Sequence, residues 1–203
     1  MTSGEFRKLV AKTTDAGLLS LCVRDDRVPY VFDPEPQSWD QFRADISAEL
    51  DVAAVDIAVV GSARLGFSLK PGNNLKAFSD KSDIDVIIVN EKLFDHLWIH
   101  LLATAYPDPE TSPKLGGWLN NRRREVYAGW LNPLEIKLDR AIWGERATPV
   151  IQFSSQWFDV LQKASKYPPR RHEVIEGRLY RTWRHAELYH LHSLAALRET
   201  LTT

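Results

Sequence analysis

Two short runs of β-branched, apolar residues, DIAVVG at 56–61 and SDIDVIIV at 82–89, constrain the fold of this chain most strongly. Runs of this length and composition predict buried strands. The second run opens with two aspartates at alternate positions, Asp83 and Asp85. Residues i and i+2 of a strand point to the same face, so the sequence predicts two carboxylates side by side, with the intervening apolar residues on the opposite face.

Hydrophobic periodicity and turn residues predict the other elements. Helices are expected at residues 4–16, 38–50, 91–106, 113–129, 154–166 and 184–201. Further strands are expected at residues 18–23, 28–32, 148–153 and 173–183. Ser38 and Gln41 fit a capping box, which places the start of the second helix at Ser38. Residues 132–142 fit either a strand or a helix.

This order of elements predicts an α/β (α+β) fold. We expect a small mixed β-sheet with helices packed on it, and a helix-rich C-terminal half. A compositional boundary near residue 107 divides the chain into a core at 1–107 and a helix-rich part at 108–203, which can add a strand to the same domain.

Charge and cysteine content exclude several classes of protein. The net charge of the 203 residues is -1, so no global field draws the chain to nucleic acid or to a membrane. The single cysteine, Cys22, cannot form an internal disulfide framework, which favours a reduced, cytoplasmic setting. No stretch approaches the roughly 20 apolar residues of a membrane helix, so we expect no membrane partner.

A glycine-serine turn follows the first apolar run, in GSARLG at 61–66. Gly61 allows the backbone to approach a ligand closely, and the Ser62 hydroxyl with nearby N–H groups suits a phosphate. Paired carboxylates with substrate phosphates are typical ligands of Mg²⁺. Each feature alone also fits an ordinary tight turn or an exposed strand end. Together, and in this order, they predict a site for a metal-bound polyphosphate.

GSARLG followed by SDIDVIIV resembles the motif of the polymerase-β-like nucleotidyltransferase superfamily, over residues 55–90. The resemblance implies a mixed sheet of nucleotidyltransferase type. It also implies that Gly61 and Ser62 bind the phosphates of a nucleoside triphosphate such as ATP, and that Asp83 and Asp85 are catalytic and hold Mg²⁺ or Mn²⁺. The implied reaction transfers a nucleoside monophosphate to a hydroxyl and releases pyrophosphate.

The same resemblance does not identify the acceptor of the nucleoside monophosphate, which is a protein side chain, an RNA end or a small molecule. It implies a role in bacterial phage defence, in a toxin–antitoxin pair or in stress signalling. The nucleotide-binding set is completed by Arg64, Gly66 and Lys81. Lys81, together with Lys70 and Lys76, either contacts phosphates or is solvated.

The superfamily has a third carboxylate on a later strand, where it activates the attacking hydroxyl. Asp139, which we take as the catalytic candidate, and Glu135 qualify if residues 132–142 form a strand. Glu176 qualifies if residues 174–180 join the sheet. If none serves, the chain is an inactive nucleotide-binding or partner-docking module whose C-terminal helices bind a protein.

Two groups of arginines leave a choice between ligand binding and solvation. Arg122, Arg123 and Arg124 lie among aromatic residues, as in single-strand nucleic-acid sites, but also fit the solvated face of a helix. Arg178 begins a second group with three-residue spacing, continued by Arg181 and Arg184. That group either lines a phosphate-bearing cleft or forms a charged surface.

Overall fold

A four-stranded mixed sheet organises the chain in the computed structural model, which describes residues 1–106, 113–138, 140–169 and 175–202. The strands are β1 (Ile57–Val60), β2 (Ile84–Val89), β3 (Trp130–Leu131) and β4 (Ile175–Tyr180). Their order in the sheet is β1-β2-β4-β3. β2 and β4 are parallel, whereas β1 pairs with β2 and β3 pairs with β4 in antiparallel fashion.

Helices cover both faces of this sheet. They are α1 (Ser3–Val10), α2 (Asp15–Leu19), α3 (Pro36–Leu50), α4 (Gly61–Leu65), α5 (Glu91–Ala105), α6 (Pro113–Tyr127), α7 (Arg140–Trp143), α8 (Thr148–Ala164) and α9 (Trp183–Thr202). Single π- or 3-10 turns occupy Ser20–Arg24, Tyr30–Phe32, Ala54–Asp56, Pro133–Glu135 and Gly144–Ala147. None of these described helices is long and apolar enough to cross a membrane. The α+β class and the helix-rich C-terminal half are as predicted.

Apolar layers bury the sheet on both sides, which explains why β1 and β2 are nearly continuous apolar runs. One layer contains Ile84, Val86 and Ile88 with side chains of α3, α5 and α8 such as Phe42, Leu97 and Trp157. The other contains Ala58, Val60, Ile87 and Val89 with side chains of α1, α2 and α9 such as Phe6, Leu18 and Leu194. Strands from before and after residue 107 therefore share one sheet and one pair of cores.

Three of the expected strands form helical turns instead. Residues 18–23 continue α2 into a π-turn, with Leu18, Leu19, Cys22 and Val23 buried on one side. Residues 28–32 contain a 3-10 turn. Residues 148–153 form the first turns of α8, where a proline in the first turn favours a helix start.

The start of α3 also differs from the expected capping box. The helix begins at Pro36, and the Ser38 hydroxyl donates a hydrogen bond to the Glu35 carbonyl at 2.7 Å. In the ambiguous segment, the Asn132 side chain caps a 3-10 turn at Pro133–Glu135, and α7 begins at Arg140. The sheet therefore receives no strand from residues 133–136.

Candidate functional site

A cavity of about 660 Å³ lies against the sheet where β1 ends and β2 begins. Gly61 and Ser62 line it from one side, and Asp83 and Asp85 line it as well. The two motifs that the sequence predicts to meet therefore face the same volume. This volume falls within the usual range of small-molecule sites, about 300 to 1,000 Å³.

The close approach of Gly61 to Asp85 defines the geometry of this cavity. Val60, the last residue of β1, pairs with Asp85 of β2. Gly61 then turns the chain with φ 66°, a conformation that favours glycine. A Cβ at this position would lie 3.2 Å from Oδ2 of Asp85. The absent side chain keeps this carboxylate accessible from the turn.

Glu176 supplies a third carboxylate to the cavity. Because β4 runs parallel to β2, Glu176 is the register partner of Asp85, and both residues line the cavity. Asp139, the candidate taken from the sequence, lies outside the described residues. Glu135 is exposed in its 3-10 turn and does not line the cavity.

The cavity leaves the charge of these carboxylates largely uncompensated. Burial raises the pKa of Asp85 to about 6, an effect that nearby Glu176 and Asp83 strengthen and Arg178 opposes. Within the described chain, Asp83, Asp85 and Glu176 form no hydrogen bond or salt bridge with another side chain. A bound cation would stabilise the ionised form of Asp85.

Carboxylate oxygens suit a hard divalent cation, and the residues present therefore fit Mg²⁺ or Mn²⁺. Among the described residues, no group of three or more His, Cys, Asp or Glu side chains is already arranged to hold a metal ion. Mg²⁺ is usually held by one or two carboxylates together with substrate phosphates, so this donor set would be completed by the substrate.

Lysines on the segment between α4 and β2 line the rim of the cavity. Lys70, Lys76 and Lys81 are exposed and all three line it, with Asn73 among them. An antiparallel bridge between Phe67 and Ala77 closes the part of this segment that carries Lys70 and Lys76. The segment thus carries positive charge close to the carboxylates, where it suits a polyphosphate.

Arg64 and Gly66, two members of the expected nucleotide-binding set, lie outside the cavity. The Arg64 side chain is buried and donates to the backbone carbonyls of Leu21, Asp25 and Val59. Gly66 ends α4 with φ 86° and packs against the ring of Tyr30. Both residues therefore make structural contacts and do not line the cavity.

Only one residue of the second arginine group faces the cavity. Arg178 lines it, whereas Arg181 forms salt bridges with Glu91 and Asp95, each at 3.0 Å. Arg184 is exposed and lies 3.6 Å from a carboxylate oxygen of Glu187. Of the two alternatives left by the sequence, a cleft or a charged surface, Arg178 on β4 lies in the cavity, whereas Arg181 and Arg184, which follow the strand, pair with carboxylates outside it.

The arginine triplet on α6 is divided in the same way. Arg122 is buried and its guanidinium lies 2.7 Å from a carboxylate oxygen of Glu125. Arg123 and Arg124 are exposed, and none of the three lines the cavity.

Sequence reasoning missed Tyr180, Tyr189 and His190 as cavity residues. The alternation of β4 could have found the first of these, since Glu176, Arg178 and Tyr180 share a face. Nothing in the sequence indicates that α9 packs over that face.

We compared the chain with known proteins and found no significant match to a family model, to a curated protein or to a solved structure. The geometry of the cavity is therefore the basis for any functional proposal.

Proposed function

We propose that this chain is a metal-dependent nucleotidyltransferase that transfers a nucleoside monophosphate from a nucleoside triphosphate to an acceptor hydroxyl. One observation carries the proposal. A glycine-serine turn and three carboxylates, Asp83, Asp85 and Glu176, line one cavity, and the turn approaches Asp85 so closely that a Cβ would lie 3.2 Å from its Oδ2.

Each side chain has a role that follows from its position. The turn at Gly61 and Ser62, with the lysine-bearing rim, binds the triphosphate. Asp83 and Asp85 hold the divalent cation, which when bound neutralises phosphate charge and orients the reacting groups. Glu176 accepts the proton of the acceptor hydroxyl.

The reaction balances as an in-line displacement. The acceptor oxygen forms a bond to the α-phosphorus, and the bond from that phosphorus to the oxygen bridging the α- and β-phosphates breaks. Pyrophosphate leaves with the electron pair, and the hydroxyl proton goes to the Glu176 carboxylate.

The test is to incubate the full chain with each labelled triphosphate and Mg²⁺ or Mn²⁺, and to measure pyrophosphate and labelled product. The double variant Asp83→Asn with Asp85→Asn should release no pyrophosphate above background. Because burial disfavours the ionised Asp85 carboxylate, this variant should unfold at a temperature no lower than the parent does. Loss of activity would then not reflect loss of fold.

Two results would contradict transfer. If the parent binds the triphosphate in a metal-dependent manner without turnover, the chain is the inactive nucleotide-binding module. If the double variant binds the triphosphate as tightly as the parent, the carboxylates do not hold the metal and the nucleotide proposal fails.

Substitution of Gly61 by alanine tests the close approach directly. The new methyl group would press on the Asp85 carboxylate, so we expect triphosphate affinity in Mg²⁺ to fall at least about tenfold, or about 1.4 kcal/mol. Calorimetric titration measures this.

The matched control is Gly144→Ala, at a position that does not line the cavity. Gly144 has the same positive φ as Gly61, 66°, but an added Cβ there meets nothing within 4 Å. Both variants carry similar backbone strain, about 1 to 2 kcal/mol. If both variants lost triphosphate affinity equally, the cause would be backbone strain and not the contact of the new methyl group with Asp85.

A further inference from the structure

Part of the cavity, beneath α9, is lined by polar side chains to which the proposed triphosphate site assigns no role. Glu176, Arg178 and Tyr180 follow one another on the same face of β4. Tyr189 and His190 of α9 line the same cavity. We call Arg178, Tyr180, Tyr189 and His190 the Arg178 subsite.

The Arg178 subsite contains buried polar groups whose hydrogen-bonding capacity is not fully used among the described residues. Tyr180 is 0% exposed, and its hydroxyl has no hydrogen-bond partner of good geometry among the described residues. The Arg178 guanidinium lies close to this hydroxyl, but an arginine only donates, so the hydroxyl hydrogen is left without an acceptor. Nε2 of His190 is likewise buried without a partner in the described chain.

Arg178 itself is a half-buried cation, and the carboxylate that interacts with it electrostatically is Asp85 on the neighbouring strand. Arg178 forms no salt bridge with any described carboxylate. Its guanidinium lies 5.2 Å from the ring centroid of Tyr189 and 5.8 Å from that of Trp130. Aromatic rings on this side hold the cation in place without neutralising it.

The charges of the subsite favour an oxyanion. Burial, with a smaller contribution from nearby Arg178, lowers the pKa of His190 to about 4, so the imidazole is neutral at pH 7. Burial also raises the pKa of the Tyr180 phenol, which remains a neutral donor. One guanidinium with neutral donors beside it suits a phosphate or a carboxylate.

The topology places this subsite on the side of the carboxylates opposite to the glycine-serine turn. In the sheet, β2 with Asp85 lies between β1, which leads into Gly61, and β4, which carries Arg178. In an in-line displacement the attacking and leaving oxygens lie on opposite sides of the phosphorus. With pyrophosphate at the turn, the acceptor approaches from the β4 side.

We propose that the Arg178 subsite binds an anionic group, a phosphate or a carboxylate, of the acceptor molecule. This inference rests on the proposed nucleotidyl transfer. Residues two apart on a strand are roughly 7 Å apart, so the acceptor carries its anionic group about that far from the hydroxyl that Glu176 deprotonates. The acceptor class is thus an acidic or phosphorylated hydroxyl compound.

The test titrates inorganic phosphate and, separately, acetate into the metal-free full chain, and follows the NMR chemical shifts of β4 and α9 separately from those of the glycine-serine turn and the lysine rim, which also bind phosphate. Arg178→Gln should weaken phosphate binding at least tenfold and Tyr180→Phe at least threefold. Arg184→Gln, the same charge change at an exposed position, should weaken it less than twofold. The tighter of the two anions identifies the group that the acceptor carries, and thermal unfolding confirms that each variant is folded.

Three results would overturn the inference. The first is that Arg178→Gln and Tyr180→Phe both leave phosphate binding unchanged. The second is that Arg184→Gln weakens phosphate binding as much as Arg178→Gln does. The third is that Arg178→Gln lowers the triphosphate affinity in Mg²⁺ tenfold. The last would assign Arg178 to the triphosphate. If phosphate binds through Arg178 but no triphosphate binds with metal, the proposed function fails while the anion subsite stands.

Discussion

Replacing Glu176 with glutamine is expected to slow pyrophosphate release by roughly 10²- to 10⁴-fold, the usual contribution of a positioned general base. Glutamine keeps the size of the side chain and cannot accept the proton of the acceptor hydroxyl. The triphosphate should still bind, because the glycine-serine turn and the aspartates that line the cavity with it are unchanged. Single-turnover kinetics with a measured triphosphate affinity separate the two effects.

Substitutions of the other two candidate acids, Glu135 and Asp139, decide which residue is the third catalytic carboxylate. Glu135→Gln makes the same chemical change at an exposed position outside the cavity and should leave the rate within about twofold. Asp139→Asn tests the candidate taken from the sequence. If Asp139→Asn abolished turnover while Glu176→Gln did not, the assignment of Glu176 would be wrong.

The local part of the site was predictable from the sequence, whereas for the part built by distant pairing the sequence left Glu176 as one of three candidates. The glycine-serine turn and the two aspartates lie within one stretch of 25 residues, from Gly61 to Asp85. The strands that carry them are recognisable in the sequence as β-branched apolar runs. Their convergence on one cavity follows from the antiparallel pairing of β1 with β2. Glu176 joins them only through the parallel pairing of β2 with β4, which a local pattern cannot specify.

The expected strands that proved helical show a second limit. Residues 18–23 are apolar and short, and such runs do not distinguish a strand from a buried helical turn. Thr14 accepts a hydrogen bond from the Gly17 N–H and so starts α2, and the run then packs against α9. Capping and tertiary packing together outweigh the β-propensity of the run.

Removing the Arg64 side chain is expected to destabilise the fold and to leave the triphosphate site of the folded protein unchanged. Arg64 is 6% exposed, and its guanidinium donates to the carbonyls of Leu21 at 3.1 Å and Val59 at 3.4 Å, and also to that of Asp25. It thereby ties the π-turn at 20–24 to the end of β1, directly before Gly61. In Arg64→Ala these buried acceptors lose their donors, each at a cost of about 1 to 3 kcal/mol.

We therefore expect the free energy of unfolding, measured by chemical denaturation, to fall by about 3 to 5 kcal/mol in Arg64→Ala. Arg64→Lys should recover only part of this, because an ammonium cannot reproduce the spread of guanidinium donors. Arg27→Ala is the control, since Arg27 also pairs with Asp25 but its side chain is 72% exposed, and it should cost under about 1 kcal/mol. If Arg64→Ala instead kept its stability and lost triphosphate affinity tenfold, Arg64 would contact phosphate as the sequence predicted.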